Sequence, residues 1–187
     1  MKSQLRRPVM RLACLALGAL CIAAFAGRGI RAQSASAPEM KIVEPKDVKA
    51  LIAGNKGKVV FLNFFATYCV PCHKEFPDII KLQTKYKSAG LEVVEISMND
   101  ASDPADKAAM AKYLDETKPS FAVYLASSID DDFYKGVDPH WAADGEALPM
   151  TTIFDRDGKV AHFYEKALSF EEMERDVTPL LKASASN

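Results

Sequence analysis

Two cysteines separated by two residues, Cys69-Val70-Pro71-Cys72, follow the apolar run Val59-Val60-Phe61-Leu62-Asn63-Phe64-Phe65 and precede a stretch of helical periodicity. This placement constrains the chain more than any other feature. A strand that ends and a helix that begins at the thiols puts both sulfurs in one helical turn, close enough to close a small ring, with the first facing the positive end of the helix dipole. Such a pair can cycle between dithiol and disulfide. A zinc ribbon would need a second CxxC, which the chain lacks. Two reduced core cysteines would leave the spacing, the preceding strand and Pro71 unexplained.

The other two cysteines lie in a segment of a different kind. Residues 1–32 hold six Lys or Arg (Lys2, Arg6, Arg7, Arg11, Arg28, Arg31), no acid, and an apolar stretch over 12–26 that contains Cys14 and Cys21. Charge and length are those of a secretory signal, and the apolar core falls short of the about 20 residues a bilayer span needs. Retention as an N-terminal anchor is the alternative. Small residues suit cleavage after Ala26 or after Ala32, and the surroundings of Cys14 and Cys21 suit lipidation poorly. Cleavage after Ala32 removes six of the 24 Lys and Arg and none of the 25 acids, which leaves a net charge of about −7. An anionic surface without a basic run repels phosphate, so no nucleic-acid partner is expected. Two thiols then remain in an exported protein, at a separation that makes a poor structural staple and a good catalytic pair. The remaining residues suffice for one domain with a core.

Residues 33–39 are small and polar and read as a spacer. A short helix is predicted over 45–53, a strand over 58–65, and a helix over 72–88 with Phe76, Ile79, Ile80, Leu82 and Tyr86 on one stripe. A strand over 91–97, a helix over 104–116 and a strand over 121–126 follow. A hairpin over 151–155 and 160–164 turns at Arg156-Asp157-Gly158, and a closing helix over 169–181 is capped by Ser169. This order implies an α/β fold with a central mixed sheet and helices on its faces.

At these residues the chain resembles thioredoxin-fold proteins of the TlpA/ResA type, exported thiol-disulfide oxidoreductases often tied to cytochrome c maturation. Residues 61–72 resemble the family's strand and active-site turn, and Lys74-Glu75-Phe76-Pro77 its following helix. Leu148-Pro149 and Asp155-Arg156-Asp157-Gly158-Lys159 resemble its cis-proline segment and β-turn. The likeness implies a thioredoxin-like domain over 40–183, a tail over 184–187, and an insertion before the cis-proline loop.

Cys69, at the helix N-terminus, is the expected attacking thiolate, and Cys72 the resolving thiol. The resemblance puts a functional carboxylate at Glu75, where a partly buried acid moves protons to or from Cys72; the plain alternative is an exposed acid that stabilises the first helical turn. Asn63 stands in the place of thioredoxin's buried aspartate and cannot act as a base. The resemblance also implies that Pro149 brings a backbone edge beside the cysteines, with Leu148, Met150 and Tyr68 as further substrate-binding candidates. Met150 departs from the threonine common after this proline, and Tyr68 from the tryptophan common before the first cysteine. In the insertion, Asp130-Asp131-Asp132, Phe133-Tyr134, Asp138 and His140-Trp141 read in one of two ways. They form a groove wall that selects a basic target surface, or a solvated acidic loop with Trp141 packed on the core.

His73 completes a CxxCH, the pattern of c-type haem attachment, but the strand before it and the amphipathic helix after it already make a thioredoxin unit. Cu(I) binding by Cys69, Cys72, His73 and Met150 is an alternative of another class, since thiolates and a thioether suit that ion. Otherwise no metal and no cofactor beyond the redox-active disulfide are expected. Val70-Pro71 brings no charge between the cysteines, unlike the histidine of strong oxidants of this fold. The expected activity is therefore reduction of disulfides in exported proteins, with a disulfide oxidase or isomerase as the alternative. A reductant in an oxidising compartment needs resupply, which implies a membrane thiol donor. The expected protein is a monomer.

Overall fold

Residues 59–65 lack the alternation of a half-buried strand, and in the structure all seven are buried. Helices cover both faces of this strand, the setting in which a strand reads as a continuous apolar run. The structure, a computed structural model, describes residues 40–138, 141 and 148–183, all inside the unit Ala37–Asn187. The expected signal over 1–32, the spacer over 33–39 and the tail over 184–187 lie outside the described residues.

The elements run β1 (Ile42–Val43), α1 (Pro45–Gly54), β2 (Val59–Phe65), α2 (Val70–Tyr86) and a short 3-10 turn (Lys87–Ala89), then β3 (Leu91–Ser97), α3 (Pro104–Thr117), β4 (Val123–Ala126), α4 (Asp131–Val137), β5 (Met150–Phe154), β6 (Val160–Tyr164) and α5 (Phe170–Lys182). The six strands form one sheet in the order β1-β4-β3-β2-β5-β6. β1, β4, β3 and β2 are mutually parallel, and β5 is antiparallel to both of its neighbours. This is the expected mixed sheet of a thioredoxin-like fold.

Alternation along β2 and β3 sorts the core into two layers. Val59, Phe61, Leu91, Val93 and Ile153 pack against Ile79 and Leu82 of α2 and against Phe170, Met173 and Val177 of α5. On the other face Val60, Leu62, Phe64, Val94 and Ile96 meet Val48 of α1 and Phe133, Tyr134 and Val137 of α4. α3 lies beside α2, with Tyr113 against Phe65 and Phe76. α4 backs onto α1 so closely that a Cβ at Gly136 would stand 2.8 Å from the Pro45 ring.

Two elements escape the sequence reading. β1 is only two residues long, too short to show a period. α4 forms within the stretch expected as an acidic insertion, because Asp130 is a helix cap whose carboxylate accepts the Phe133 N–H at 3.1 Å, and Asp131 and Asp132 occupy the first turn, where negative charge is favoured. Ser169 caps α5 as expected, in a reciprocal box with Glu172.

The end of the sheet remote from the cysteines is closed by one side chain. Arg156, in the β5–β6 turn, donates to the carbonyls of Gly57, Ala89 and Leu181. These precede β2, precede β3 and end α5, so one guanidinium satisfies carbonyls from three segments.

Candidate active site

α2 begins at the cysteine pair. Cys69 is its N-cap, and its Sγ accepts the Cys72 N–H at 3.2 Å. Pro71 falls in the first turn, where a missing N–H leaves no bond unmade. The two cysteines form a disulfide with Cα atoms 5.3 Å apart. Cys69 is 8% exposed and Cys72 2%, so Cys69 offers the sulfur that an approaching disulfide can reach. The free N–H groups and dipole at this helix end favour a thiolate there.

The turn before the pair is held by side chains from the end of β3. The Thr67 N–H donates to Asn99 Oδ1 at 2.9 Å, and Asn99 Nδ2 donates back to Thr67 Oγ1 at 2.7 Å. Tyr68 Oη donates to the Met98 carbonyl at 3.2 Å. His73 Nε2 lies 2.7 Å from the Thr67 carbonyl, which only accepts, so the proton sits on Nε2. Its ring packs 4.7 Å from that of Tyr113. His73 thus braces the turn that Cys69 ends.

Tyr68, Cys69, Pro71, Met98, Ile129, Tyr134 and Leu148 line a groove of about 310 Å³ beside the reachable sulfur. The Leu148–Pro149 peptide bond is cis. Tyr68 and Val70 stand 64% and 67% exposed, an apolar rim around Cys69. Met150 is buried and pairs with Phe64 in the sheet, so its side chain belongs to the core and not to the groove. The insertion divides its roles. Phe133, Tyr134 and Trp141 surround Phe64 at ring separations of 6.5, 5.3 and 5.6 Å, which spends most of their aromatic surface on the core. Among the described residues of the insertion, Ile129 and Tyr134 reach the groove. His140 lies outside the described residues.

Beneath the disulfide α2 carries Glu75, which is 2% exposed and not the surface acid of the plain alternative. Its Oε1 accepts the Leu168 N–H at 3.1 Å; its Oε2 closes no hydrogen bond of ordinary geometry, and the Asn63 amide stands near the carboxyl. Burial pushes this carboxyl up from 4.5 to about 7; the Leu168 N–H and the Asn63 amide offset part of the rise, and Asp78 and Glu172 add to it. A second acid, Glu95 on β3, is fully buried with neither oxygen partnered. Burial, and after it the Glu75 charge, hold its carboxyl well above the usual range. The reading of the sequence misses Glu95, although an acid at an inward position of the strand Leu91-Glu92-Val93-Val94-Glu95-Ile96-Ser97 is a visible signal.

A profile of the Redoxin family matches residues 32–178. The chain belongs to the redoxin family. Among its redoxin relatives, the thiol-disulfide oxidoreductase ResA of Bacillus subtilis (strain 168) is 29% identical over 160 residues, which cover 86% of this chain and 82% of that protein. ResA of Bacillus thuringiensis subsp. konkukian is 32% identical over 146 residues, 76% of this chain and 77% of the relative. Among solved structures, a thiol:disulfide interchange protein of the thioredoxin family from Chlorobium tepidum superposes with a TM-score of 0.58 at 24% identity, over 69% of this chain and 83% of that one. A secreted thiol-disulfide isomerase from Corynebacterium glutamicum gives 0.59 at 16% identity, over 71% and 75%. These two likenesses show the fold. With its disulfide at the head of α2, this redoxin is a thiol-disulfide oxidoreductase.

Proposed function

We propose that this redoxin reduces disulfides in exported proteins, in the manner of cytochrome c maturation, with Cys69 as nucleophile, Cys72 as resolving thiol and Glu75 as the proton carrier. The observation that carries the reading is the layering of the site: one reachable sulfur, one covered sulfur, and a buried carboxyl poised near neutrality on the same helix. In the dithiol form, Cys69 thiolate attacks a substrate disulfide, forms a mixed disulfide and expels one substrate thiolate. Cys72 then gives its proton to the Glu75 carboxylate, and its electron pair forms the Cys69–Cys72 bond while the bond from Cys69 to substrate breaks. The second substrate thiolate leaves and takes up the proton. Two electrons pass from the protein to the substrate, and a thiol donor must return them.

The groove formed by Tyr68, Ile129, Tyr134 and Leu148 suits an extended, partly apolar segment of the substrate, and Leu148 leads directly into the cis Pro149. The basic, apolar segment 1–32 supports export, and a membrane-bound thiol donor follows from the need for resupply in an oxidising compartment. Equilibration of the Cys69–Cys72 couple against defined thiol-disulfide buffers tests the direction of electron flow. A potential near or below about −220 mV is expected, and one near about −120 mV would make the protein an oxidant.

A further inference from the structure

Three polar side chains form a row across the sheet beneath α2. Glu95 of β3, Asn63 of β2 and Thr151 of β5 occupy paired register positions, on the face that α2 covers through Phe61, Val93 and Ile153. All three are buried. Asn63 Nδ2 donates to Thr151 Oγ1 at 2.9 Å, while Asn63 Oδ1 and both Glu95 oxygens have no partner. A fully buried ionised carboxylate with no donor or cation beside it among the described residues is untenable in such a place, and protonation turns it into a donor. The neighbouring orphan acceptor is Asn63 Oδ1.

We propose that Glu95 is a positioning residue for the thiol chemistry: it stays protonated, donates its carboxyl O–H to Asn63 Oδ1, and so fixes the amide that faces Glu75, leaving Glu75 as the one carboxyl of the pair that exchanges a proton. This rests on the reading of Glu75 as the proton carrier. The ionisable groups acting around Glu95 are Glu75 from α2 and Tyr113 from α3. The flanking strands bring Asn63 and Val123 to its register position, and neither titrates. No cation among the described residues acts on it. Burial pushes the Tyr113 phenol upward, so it too stays neutral.

The geometry makes an unusual demand of this residue. A buried acid held by a single donated bond contributes little to the fold, and an apolar side chain of similar volume offsets most of what the loss of that bond costs. Glu95→Leu is therefore expected to stay folded, with a melting temperature close to that of the wild type, while losing the donor to Asn63. Glu95→Gln keeps a donor and is neutral at every pH.

The test follows the Glu75 carboxyl by carbon NMR across pH in the full chain, alongside the pH profile of thiol release from a mixed disulfide. Glu95→Leu should move the Glu75 midpoint upward, since the fixed amide no longer favours the carboxylate, and should move the profile with it. Glu95→Gln should restore both. A midpoint unmoved in Glu95→Leu overturns the proposal. A midpoint lowered in both variants also overturns it, because that is the signature of a removed negative charge. Glu75→Gln separates the two readings. A release profile unmoved by that change removes the proton-carrying role of Glu75 and the function of Glu95 with it. A moved profile together with an unmoved midpoint in Glu95→Leu overturns Glu95 alone.

Discussion

Replacing Glu75 by Gln swaps a buried acid for a neutral group of the same shape, and the effect on stability must depend on pH. In the folded protein the Glu75 carboxyl is held at about 7, against 4.5 for the ordinary group. The native state therefore binds this proton more tightly than the unfolded chain does. Its contribution to stability is fully present below pH 4.5 and is lost as pH rises through 7. The gap between these values corresponds to about 3 kcal/mol. Burial, the larger cause, keeps Glu95 protonated in both proteins across this range, so it adds the same pH dependence to each. Urea unfolding of the oxidised wild type and E75Q at intervals from about pH 4.5 to 8.5 measures the difference directly. The variant should gain on the wild type across that range by a total of about 3 kcal/mol, nearly all of it above pH 5. A difference that stays flat would mean that Glu75 does not titrate in this window, and the assignment of Glu75 as proton carrier would lose its physical basis.

Cys72→Ala should leave Cys69 able to attack but not to resolve, so a mixed disulfide with substrate accumulates and is visible by non-reducing electrophoresis, whereas Cys69→Ala should form none. Arg156→Ala removes donors from the Gly57, Ala89 and Leu181 carbonyls and should cost about 2 kcal/mol in denaturant unfolding, with the potential of the disulfide unchanged. Phe133→Ala opens a cavity beside Phe64 and should cost about 3 kcal/mol; loss of groove binding without loss of stability would contradict the core role of this side chain.

The strand–turn–helix around Cys69 and Cys72 was legible because each of its signals is local: an unbroken apolar run, a cysteine pair with a proline inside it, a helical stripe. Glu75 was legible as a position but not as an environment. Its carboxyl meets the N–H of Leu168, a residue 93 places along the chain, and no local pattern reports such a neighbour. The same holds for the insertion. Its aspartates read as a groove wall or a solvated loop because the sequence does not reveal that Asp130 caps a helix whose aromatic side chains close over Phe64. Met150 looked like a groove residue by its place after Pro149, yet strand alternation turns it into the core. Glu95 was missed for another reason. A lone acid in an apolar strand contradicts the pattern of its neighbours, and reading by pattern discards such exceptions, although they are where a fold gives up stability for chemistry.

Cys72 lies under the helix start and only Cys69 meets the groove, which has a kinetic consequence. The donor that recharges the protein and the substrate that discharges it must both address the same sulfur through the same opening, so no ternary complex forms. Electrons are carried by turn-taking and not by relay. Steady-state turnover should then follow ping-pong kinetics, with parallel double-reciprocal lines as the donor is varied. A redox-dead substrate analogue that fills the groove should compete with the donor, although the two need share nothing but a cysteine. In the cell, the ratio of the two partners would govern flux as much as the potential of the disulfide does.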